Sequence, residues 1–289
     1  MNETGAKKRP ILAVCYDFDK TLSPTDMQAQ GYIQSVGYDV DKFWADTGVM
    51  ARENDMDTNL AYMLKMAQEA EGNIVFSRQT LAEYGSRVEL FPGVETWFDR
   101  INAYGDACGL DVEHYIISSG LKEMIEGTDL ARKGAFKKIY ASAFYYNERG
   151  VAVWPAQVVN YTGKTQFLFR ISKGVLDVND AAVNDYFKPG ELRVPFRNMV
   201  YIGDSDTDIP CMKLVNSMGG YSIGVFNPIT KNSEKVRQLL EYDRIRYIAE
   251  ADYSEGKELE TLMKEIIDKT SANERLERRH KRNEKEIYD

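Results

Sequence analysis

The chain has 289 residues and a formal net charge of -8, an acidic balance that argues against a broad nucleic-acid-binding surface. Hydrophobic residues make up 43% and charged residues 28%, as in ordinary soluble globular proteins. No apolar run approaches the ~20 residues of a membrane span, and the length allows one large domain or a core with a smaller second domain.

The cysteines and the N-terminal residues predict the cellular compartment of the protein. The three cysteines, Cys15, Cys108 and Cys211, are odd in number and widely spaced, so they predict no disulfide framework and fit a reducing compartment. Residues 1–9 are polar and lead directly into the first apolar run, so we expect no signal peptide. We therefore expect a cytoplasmic protein that binds neither nucleic acid nor a membrane; its oligomeric state stays open.

The first predicted strand covers the apolar run from Ile11 to Tyr16 and ends at two carboxylates, Asp17 and Asp19. In α/β proteins with parallel sheets, ligands bind outside the carboxyl ends of the strands. Because side chains alternate along an extended chain, Asp17 and Asp19 share one side, where two like charges are unfavourable without a cation or a shared proton. The pair predicts a metal site, an acid–base role or both; a solvated acidic turn is the alternative.

A long, mainly helical segment follows. Residues 23–84 contain apolar residues at helical spacing, which predicts helices. Examples are Leu60, Met63, Leu64 and Ala67. The chain is predicted to return to the core at Phe91, so the segment leaves and re-enters near Asp17 and is expected to lie over the site as a lid. A helical subdomain that only braces the core is the alternative.

The middle of the chain contains a second polar strand end and a hairpin. The sequence IISSG at residues 116–120 is an apolar strand ending in two serines and a glycine, although serine also favours the start of a helix. Residues 138–154 predict a β-hairpin that turns at the sequence NERG. A helix is predicted over 167–176, followed by a polar, loop-rich insertion over 177–197.

Two lysines, Lys164 and Lys173, are candidates for a positive charge at the carboxyl ends of the strands. They lie nine residues apart on one predicted helix. At ~100° per residue they point to opposite faces, so one alone reaches the site. Lys164 follows Gly163 at the start of the helix, near the strand ends, whereas Lys173 precedes Gly174 at the far end. We therefore predict Lys164, with Lys173 as the alternative.

Another apolar strand, residues 199–203, is followed by Asp204, Asp206 and Asp208. Asp204 and Asp208 are four residues apart and face one point if a helix begins there. Carboxylates from two strand ends suit Mg²⁺, which prefers oxygen ligands. The twelve-residue calcium loop is not matched, which disfavours Ca²⁺. We expect Asp206 to point away and to cap the following helix.

The C-terminal part predicts strands at 221–226 and 244–249, each followed by a helix, the second over 255–269. Residues 273–289 alternate acidic and basic side chains, which predicts a solvated helix or a frayed end. A basic interaction tail is the alternative.

Four motifs, in this order, make the chain resemble the haloacid dehalogenase (HAD) superfamily phosphatases, in the layout of the phosphoserine phosphatase-like branch. The motifs are Asp17-Phe18-Asp19-Lys20-Thr21, Ile116-Ile117-Ser118-Ser119-Gly120, Gly163-Lys164-Thr165 and Gly203-Asp204-Ser205-Asp206-Thr207-Asp208. The resemblance implies an α/β fold with a doubly wound, mostly parallel, Rossmann-like core. Residues 1–22 and 90–270 would form this core, 23–89 an inserted helical cap, and 271–289 a charged C-terminal tail.

The resemblance also implies residue roles. Asp17 would be the nucleophile that forms an aspartyl phosphate, Asp19 the general acid and base, and Lys164 the catalytic cation. The implied phosphate-binding residues are Thr21, Ser118, Ser119 and Gly120. The implied Mg²⁺ ligands are Asp17, the backbone carbonyl of Asp19, Asp204 and, through water, Asp208.

The implied function is Mg²⁺-dependent hydrolysis of a small-molecule phosphate ester. A phosphotransferase is the alternative enzyme, and a regulatory binding protein on the same scaffold is the alternative outside catalysis. Asp26 and Arg52 are candidates for substrate contacts, with ordinary surface charge as the other interpretation of each.

Overall fold

A single seven-stranded sheet, in the order β4-β3-β2-β1-β5-β6-β7, forms the centre of the computed structural model, which describes residues 9–288. The strands are β1 Ile11–Tyr16, β2 Asp111–Leu121, β3 Lys138–Tyr146, β4 Ala152–Gln157, β5 Met199–Gly203, β6 Tyr221–Phe226 and β7 Tyr247–Glu250. All neighbouring strands are parallel except the β3–β4 hairpin. This confirms the doubly wound, mostly parallel α/β fold, and the hairpin lies where it was predicted.

Eleven helices are described, and most pack on the two faces of the sheet. They are α1 Tyr32–Ser35, α2 Val40–Glu53, α3 Thr58–Ala70, α4 Arg78–Gly85, α5 Val94–Ala107, α6 Lys122–Gly127, α7 Asp129–Arg132, α8 Thr165–Lys173, α9 Ile209–Ser217, α10 Glu234–Glu241 and α11 Glu258–Tyr288. Within this described part, no helix is both long enough and apolar enough to cross a membrane.

Strand β1 is apolar throughout because both of its faces are covered. Leu12, Val14 and Tyr16 pack in the core that includes α5 and α11. Ala13 and Cys15 pack in the second core, with α8 and α9. The two cores explain why the sequence shows a continuous apolar run here rather than alternation.

The register places three strand ends at one edge. Tyr16, the last residue of β1, pairs with Ile116 on β2 and with Ile202 on β5. The chain runs from β1 outward to β4, and then starts again at β5 on the other side of β1. Such a reversal of strand order opens a crevice at the carboxyl ends of the strands, which is where parallel α/β proteins bind ligands.

The helices α1 to α4 form the predicted helical insertion between β1 and α5. Its two connections to the core run side by side, since the Phe91 amide donates to the Leu22 carbonyl at 2.9 Å. Helix α2 is capped by Asp39 and helix α3 by Asp57, whose carboxylates accept from first-turn amides. The cap is therefore helical, and its boundaries at 23 and 89 stay a prediction.

One end of the cap is packed tightly against the core. A side chain on Gly85 of α4 would overlap the Met124 backbone of α6, and one on Gly127 would overlap the Ala82 backbone. The segment before α4 also bonds to the hairpin, where the Ala152 amide donates to the Phe76 carbonyl at 2.8 Å. These contacts leave no room for α4 to swing freely.

Some element boundaries differ from those predicted. Helix α8 ends at Lys173, and residues 177–197 contain only short 3-10 turns, at Ala181–Asn184, Pro189–Glu191 and Phe196–Asn198. Helix α11 was predicted to end at Lys269 but continues to Tyr288, so the charged tail is helical, one of its two predicted states, and extends a core helix. Its apolar face ends near Ile267, which is why the helical pattern was not visible further on.

A buried network holds β1, β2 and α5 together. The Trp97 indole donates to the Tyr16 hydroxyl at 2.9 Å, and that hydroxyl lies 2.9 Å from Nδ1 of His114. Nε2 of His114 lies 3.1 Å from the Asn102 side-chain oxygen. Since Tyr16 receives one hydrogen and donates its own, His114 is neutral and donates through Nε2. Burial lowers the pKa of His114 to about 3.

The network predicts a loss of stability on mild acidification. The unfolded chain protonates His114 near pH 6.5 and the folded chain does not, so stability falls as pH drops from 6.5 toward 3. This loss amounts to ~2 kcal/mol between pH 7 and pH 5. In urea unfolding at these two pH values, His114→Gln should lose less stability than the natural protein by about that amount. Equal losses in both proteins would contradict a neutral, buried His114.

Candidate active site

Asp17 lies at the carboxyl end of β1, in the centre of the sheet. Its amide donates to the Ile202 carbonyl at 2.9 Å, which continues the β1–β5 ladder and fixes the start of the loop. One carboxylate oxygen accepts from the Phe18 amide at 2.7 Å, and the other lies 3.1 Å from the ammonium of Lys164. Burial and the nearby Asp208 raise the pKa of Asp17 to about 6.

Lys164 lies under this carboxylate with its side chain fully buried. Its ammonium is 2.7 Å from Asp208, which also accepts from the Tyr201 hydroxyl at 2.8 Å. Burial opposes its charge, but Asp17 and Asp208 together raise the pKa of Lys164. Lys164 therefore lies at the site, as predicted, whereas the Lys173 ammonium donates to the carbonyls of the 177–197 insertion.

Three carboxylates form a potential metal site. Asp17, Asp204 and Asp208 each offer an oxygen, and these atoms lie within 4.8 Å of one another. The second oxygen of Asp208 accepts from the Ser205 hydroxyl at 3.0 Å, so both of its oxygens already have partners. Burial, and then the charges of Asp208 and Asp17, raise the pKa of Asp204 well above its usual value. A bound cation would relieve this repulsion between the carboxylates.

Asp19 lies beside these carboxylates and lines the same cavity, but it has hydrogen-bond partners of its own. Its carboxylate accepts from the Met27 amide at 2.8 Å. A side chain on Gly120 would approach the Asp19 carboxylate to 2.9 Å, so glycine leaves the space that this carboxylate occupies. Burial, Asp26 and Asp17 raise the pKa of Asp19 well above its usual value, which favours a carboxyl that holds a proton.

The predicted hydroxyls take different positions. Ser118 lines the cavity above Asp17, and its hydroxyl accepts from the Gly120 amide at 3.0 Å. Ser119 also lines the cavity, and its hydroxyl has no partner among the described residues. Helix α6 begins only at Lys122, so the alternative that a serine caps it is wrong. Thr21 is fully buried, does not line the cavity, and donates to Asp204 at 3.4 Å.

The site opens into a cavity of about 300 Å³. Its described lining residues are Asp17, Asp19, Lys20, Asp26, Gln28, Trp44, Asn59, Tyr62, Ser118, Ser119, Gly120, Asp204, Ser205, Thr207 and Lys235. The cap reaches the core here, because the Tyr62 hydroxyl donates to the Ser119 carbonyl at 2.8 Å. Larger cavities of about 590 and 630 Å³ lie away from the carboxylates, so volume alone does not mark the site.

Three acidic or basic residues named from the sequence have clear outcomes. Asp26 lines the cavity and pairs with Lys20 at 2.9 Å, whereas Arg52 is not among the lining residues. Asp206 is 67% exposed and pairs with Lys235 at 3.1 Å. It points away from the other carboxylates, as expected, but the expectation that it caps the following helix is wrong, because Lys235 offers its carboxylate a stronger, charged partner.

Several contacts had no signal in the sequence. Tyr201 sits inside an apolar strand, where nothing distinguishes it from a core tyrosine, yet it bonds Asp208. Trp44, Asn59 and Tyr62 come from helices whose polar and apolar positions follow the ordinary pattern of an amphipathic helix. Their position at the cavity follows only from how the cap packs on the core.

The chain belongs to the haloacid dehalogenase-like hydrolase family, whose model matches residues 14–213, more than half of the chain. This confirms the resemblance that the four motifs predicted. An uncharacterised protein of Borreliella burgdorferi is 25% identical over 292 residues, which covers 92% of this chain and 99% of that protein.

Solved structures show the same fold at low sequence identity. A HAD family hydrolase from Salmonella enterica serovar Typhi superposes with a TM-score of 0.54 at 15% identity, over 84% of this chain and 68% of that one. A probable phosphoserine phosphatase from Vibrio cholerae superposes with a TM-score of 0.56 at 11% identity, over 93% of this chain and 69% of that one. At such identities the likeness concerns the fold alone.

Proposed function

We propose that this protein is a Mg²⁺-dependent phosphatase that hydrolyses a small-molecule phosphate ester through an aspartyl phosphate on Asp17. The observation that carries the proposal is the contact of Asp17 with the buried Lys164 at 3.1 Å, next to a cavity that Asp17, Asp19 and Asp204 line. A nucleophile, an acid and fixed positive charge are the groups that phosphoryl transfer needs. The family membership of residues 14–213 supports it.

The carboxylates fit a magnesium ion. Asp17 and Asp204 supply the hard oxygen donors that Mg²⁺ prefers, and their pKa values are raised first by burial and then by charge repulsion, which a cation relieves. Asp208, with both oxygens engaged, suits a contact through water, and the Asp19 carbonyl is the remaining proposed ligand. When bound, the ion offsets the negative charge of the phosphoryl oxygens and screens them from Asp17.

The side chains divide the reaction between them. An Asp17 oxygen attacks phosphorus and forms the new P–O bond, while the bond from phosphorus to the leaving oxygen breaks. Asp19 gives its proton to that oxygen, then takes a proton from the water that attacks the aspartyl phosphate, which releases phosphate. Lys164 neutralises Asp17 and the transferred oxygens, and Ser118 with the amides near Ser119 binds phosphate.

The expected partner is a small phosphate ester, since the cavity is small and covered by the cap. We also propose a cytoplasmic location with no nucleic acid or membrane partner, which the three free cysteines and the acidic balance support. The Vibrio cholerae protein is described as a probable phosphoserine phosphatase, but at 11% identity we do not carry phosphoserine over to this chain as its substrate.

Magnesium dependence is the test of this proposal. Purified protein should release phosphate from p-nitrophenyl phosphate with Mg²⁺, lose that activity in excess chelator, and regain it when Mg²⁺ exceeds the chelator. Ca²⁺ in place of Mg²⁺ should restore little, because its larger, more flexible coordination fits the site poorly. Undiminished activity in chelator would contradict the metal's role. Release only when an acceptor alcohol is added would favour a phosphotransferase.

The proposed role of Asp19 as general acid predicts how its substitution affects substrates with poor and with good leaving groups. Asp19→Asn should slow an alkyl phosphate by roughly 10²–10⁴. An aryl phosphate with a good leaving group should be slowed much less, because such a group needs little protonation. Asp26→Asn, a neighbouring carboxylate that also lines the cavity, is the matched control and should change both substrates by the same factor. Equal losses on both substrates in Asp19→Asn would mean that Asp19 only shapes the site.

A further inference from the structure

The cap contributes an uncharged, polar surface to the cavity. We call Gln28, Trp44, Asn59 and Tyr62 the cap wall; all four line the cavity. Asp26 is the one charged cavity residue among the described part of the 23–89 segment, and it is paired with Lys20 at 2.9 Å. The cap wall is thus the part of the described lining best placed to contact a leaving group rather than the phosphate.

Polar groups of the cap wall lack partners among the described residues. Gln28 is only 2% exposed, and its side-chain amide has no hydrogen-bond partner among the described residues, although its polar atoms are not fully shielded from solvent. The buried indole nitrogen of Trp44 also has none. Asn59 uses its nitrogen to donate to the Val159 carbonyl at 2.8 Å, which leaves its side-chain oxygen free to accept. An unsatisfied buried polar group costs ~1–3 kcal/mol, and of the cap wall the Trp44 nitrogen is such a group. Together with the free polar atoms of Gln28 and Asn59 at the cavity, it points to partners that a ligand supplies.

The unpartnered groups include donors and acceptors together. The Trp44 nitrogen donates, the Asn59 oxygen accepts, and the Gln28 amide does both. The free hydroxyl of Ser119, on the core side of the same cavity, also does both. A ligand that matches such a mixture carries hydroxyl groups, since each hydroxyl donates one hydrogen bond and accepts others.

The two lysines that line the cavity already form ion pairs. Lys20 and Lys235 pair with Asp26 and Asp206 at 2.9 and 3.1 Å, and their side chains are 51% and 48% exposed, at the mouth of the cavity. A leaving group with its own ammonium or carboxylate would lie against the uncharged cap wall and would have to break one of these ion pairs to gain an opposite charge, and burying an unpaired charge is strongly unfavourable. The described lining therefore disfavours amino-acid and carboxylate leaving groups.

Resting on the proposed phosphatase function, we propose that the substrate's leaving group is a neutral polyhydroxyl alcohol, such as a sugar, a polyol or a nucleoside. Its hydroxyls bond Gln28 and Asn59, and its carbon face packs on the Trp44 ring. The cavity of about 300 Å³ lies at the low end of the ~300–1,000 Å³ typical of ligand pockets, which limits the leaving group to a small one.

Three phosphate esters of equal carbon number test this with the natural protein. Glycerol 3-phosphate, 3-phosphoglycerate and O-phosphoserine release a neutral, an anionic and a zwitterionic three-carbon alcohol. We expect kcat/KM for glycerol 3-phosphate to exceed the other two by ~10-fold or more, the scale of a mismatched polar contact. Glucose 6-phosphate and adenosine 5′-phosphate then distinguish a sugar from a nucleoside as the leaving group.

The cap wall itself is tested by Gln28→Leu. Relative to p-nitrophenyl phosphate, which has no hydroxyls to match, kcat/KM for the best polyhydroxyl substrate should fall ~10-fold or more. Gln68→Leu is the matched control, since Gln68 is exposed on α3 and outside the cavity lining, and it should leave that ratio unchanged. A ratio unaltered in Gln28→Leu would overturn the role of the cap wall.

The failures are distinguishable. If p-nitrophenyl phosphate is hydrolysed in Mg²⁺ but O-phosphoserine or 3-phosphoglycerate matches or exceeds glycerol 3-phosphate, the neutral leaving group is wrong and the phosphatase stands. If none of these esters, including p-nitrophenyl phosphate, releases phosphate, the proposed function falls and the inference falls with it.

Discussion

Replacing Asp17 with asparagine is expected to reduce turnover by ~10⁴-fold or more, the scale of losing a covalent nucleophile. The amide cannot form an aspartyl phosphate, but it matches the shape of the carboxylate and still accepts from the Phe18 amide, which lies 2.7 Å away. Lys164 keeps its second partner, Asp208, at 2.7 Å. The fold should therefore survive, with an unchanged circular dichroism spectrum and a cooperative thermal transition.

Asp206→Asn is the matched control for this loss. Asp206 belongs to the same acidic loop as Asp204, but its exposed carboxylate faces Lys235. The same chemical change there should alter turnover by less than ~3-fold, since surface substitutions change free energies by about 0.5 kcal/mol. Comparable losses of turnover in Asp17→Asn and Asp206→Asn would show that the activity depends on the total negative charge near the site and not on a nucleophile at position 17.

Replacing Lys164 with alanine is expected to lower turnover by roughly 10²-fold or more, the effect of losing one preorganised electrostatic partner. It should also destabilise the protein by about 3–5 kcal/mol, because Asp17 and Asp208 would be left buried without a cation. Mg²⁺ should restore part of the stability, because it offsets the same charges. Steady-state kinetics and urea unfolding, each with and without Mg²⁺, measure the two effects separately.

Lys173→Ala is the control for Lys164→Ala, because Lys173 ends helix α8 and Lys164 is the residue just before its start. The Lys173 ammonium donates to the carbonyls of Val183 and Asp185 at 2.7 Å each, so the variant should lose about 1 kcal/mol of stability. Turnover should stay within ~3-fold of the natural protein, because these contacts hold the insertion and not the site. A large kinetic loss in Lys173→Ala alone would reverse the assignment of the lysine.

Much of the sheet edge could be predicted because strand ends have local signals. One apolar run stops at Asp17 and another stops before Asp204. These patterns predict which strands are buried and where each strand ends. Helical geometry indicated that only one of Lys164 and Lys173 reaches the site, and the place of Lys164 after Gly163 near the strand ends decided between them; the structure places Lys164 beside Asp17. These inferences depend on neighbours in the sequence.

The remaining features depend on contacts between distant segments. Tyr201 bonds Asp208, and Gly120 makes room for Asp19, through packing of separate strands. Asp206 has a helix-capping position in sequence but meets Lys235 from a distant helix. The continuation of α11 past Lys269 lacks an apolar stripe and is supported instead by ion pairs such as Arg197 with Glu274 at 3.0 Å.

The covalent intermediate is the most direct test of the central claim. The natural protein is quenched during turnover of p-nitrophenyl phosphate in Mg²⁺, treated with borohydride to reduce any acyl phosphate to an alcohol, and mapped by mass spectrometry. The proposed mechanism predicts that Asp17 is converted to homoserine, and only when substrate is present. Rapid turnover with no modified aspartate, or with the modification at Asp19 or Asp204, would contradict it.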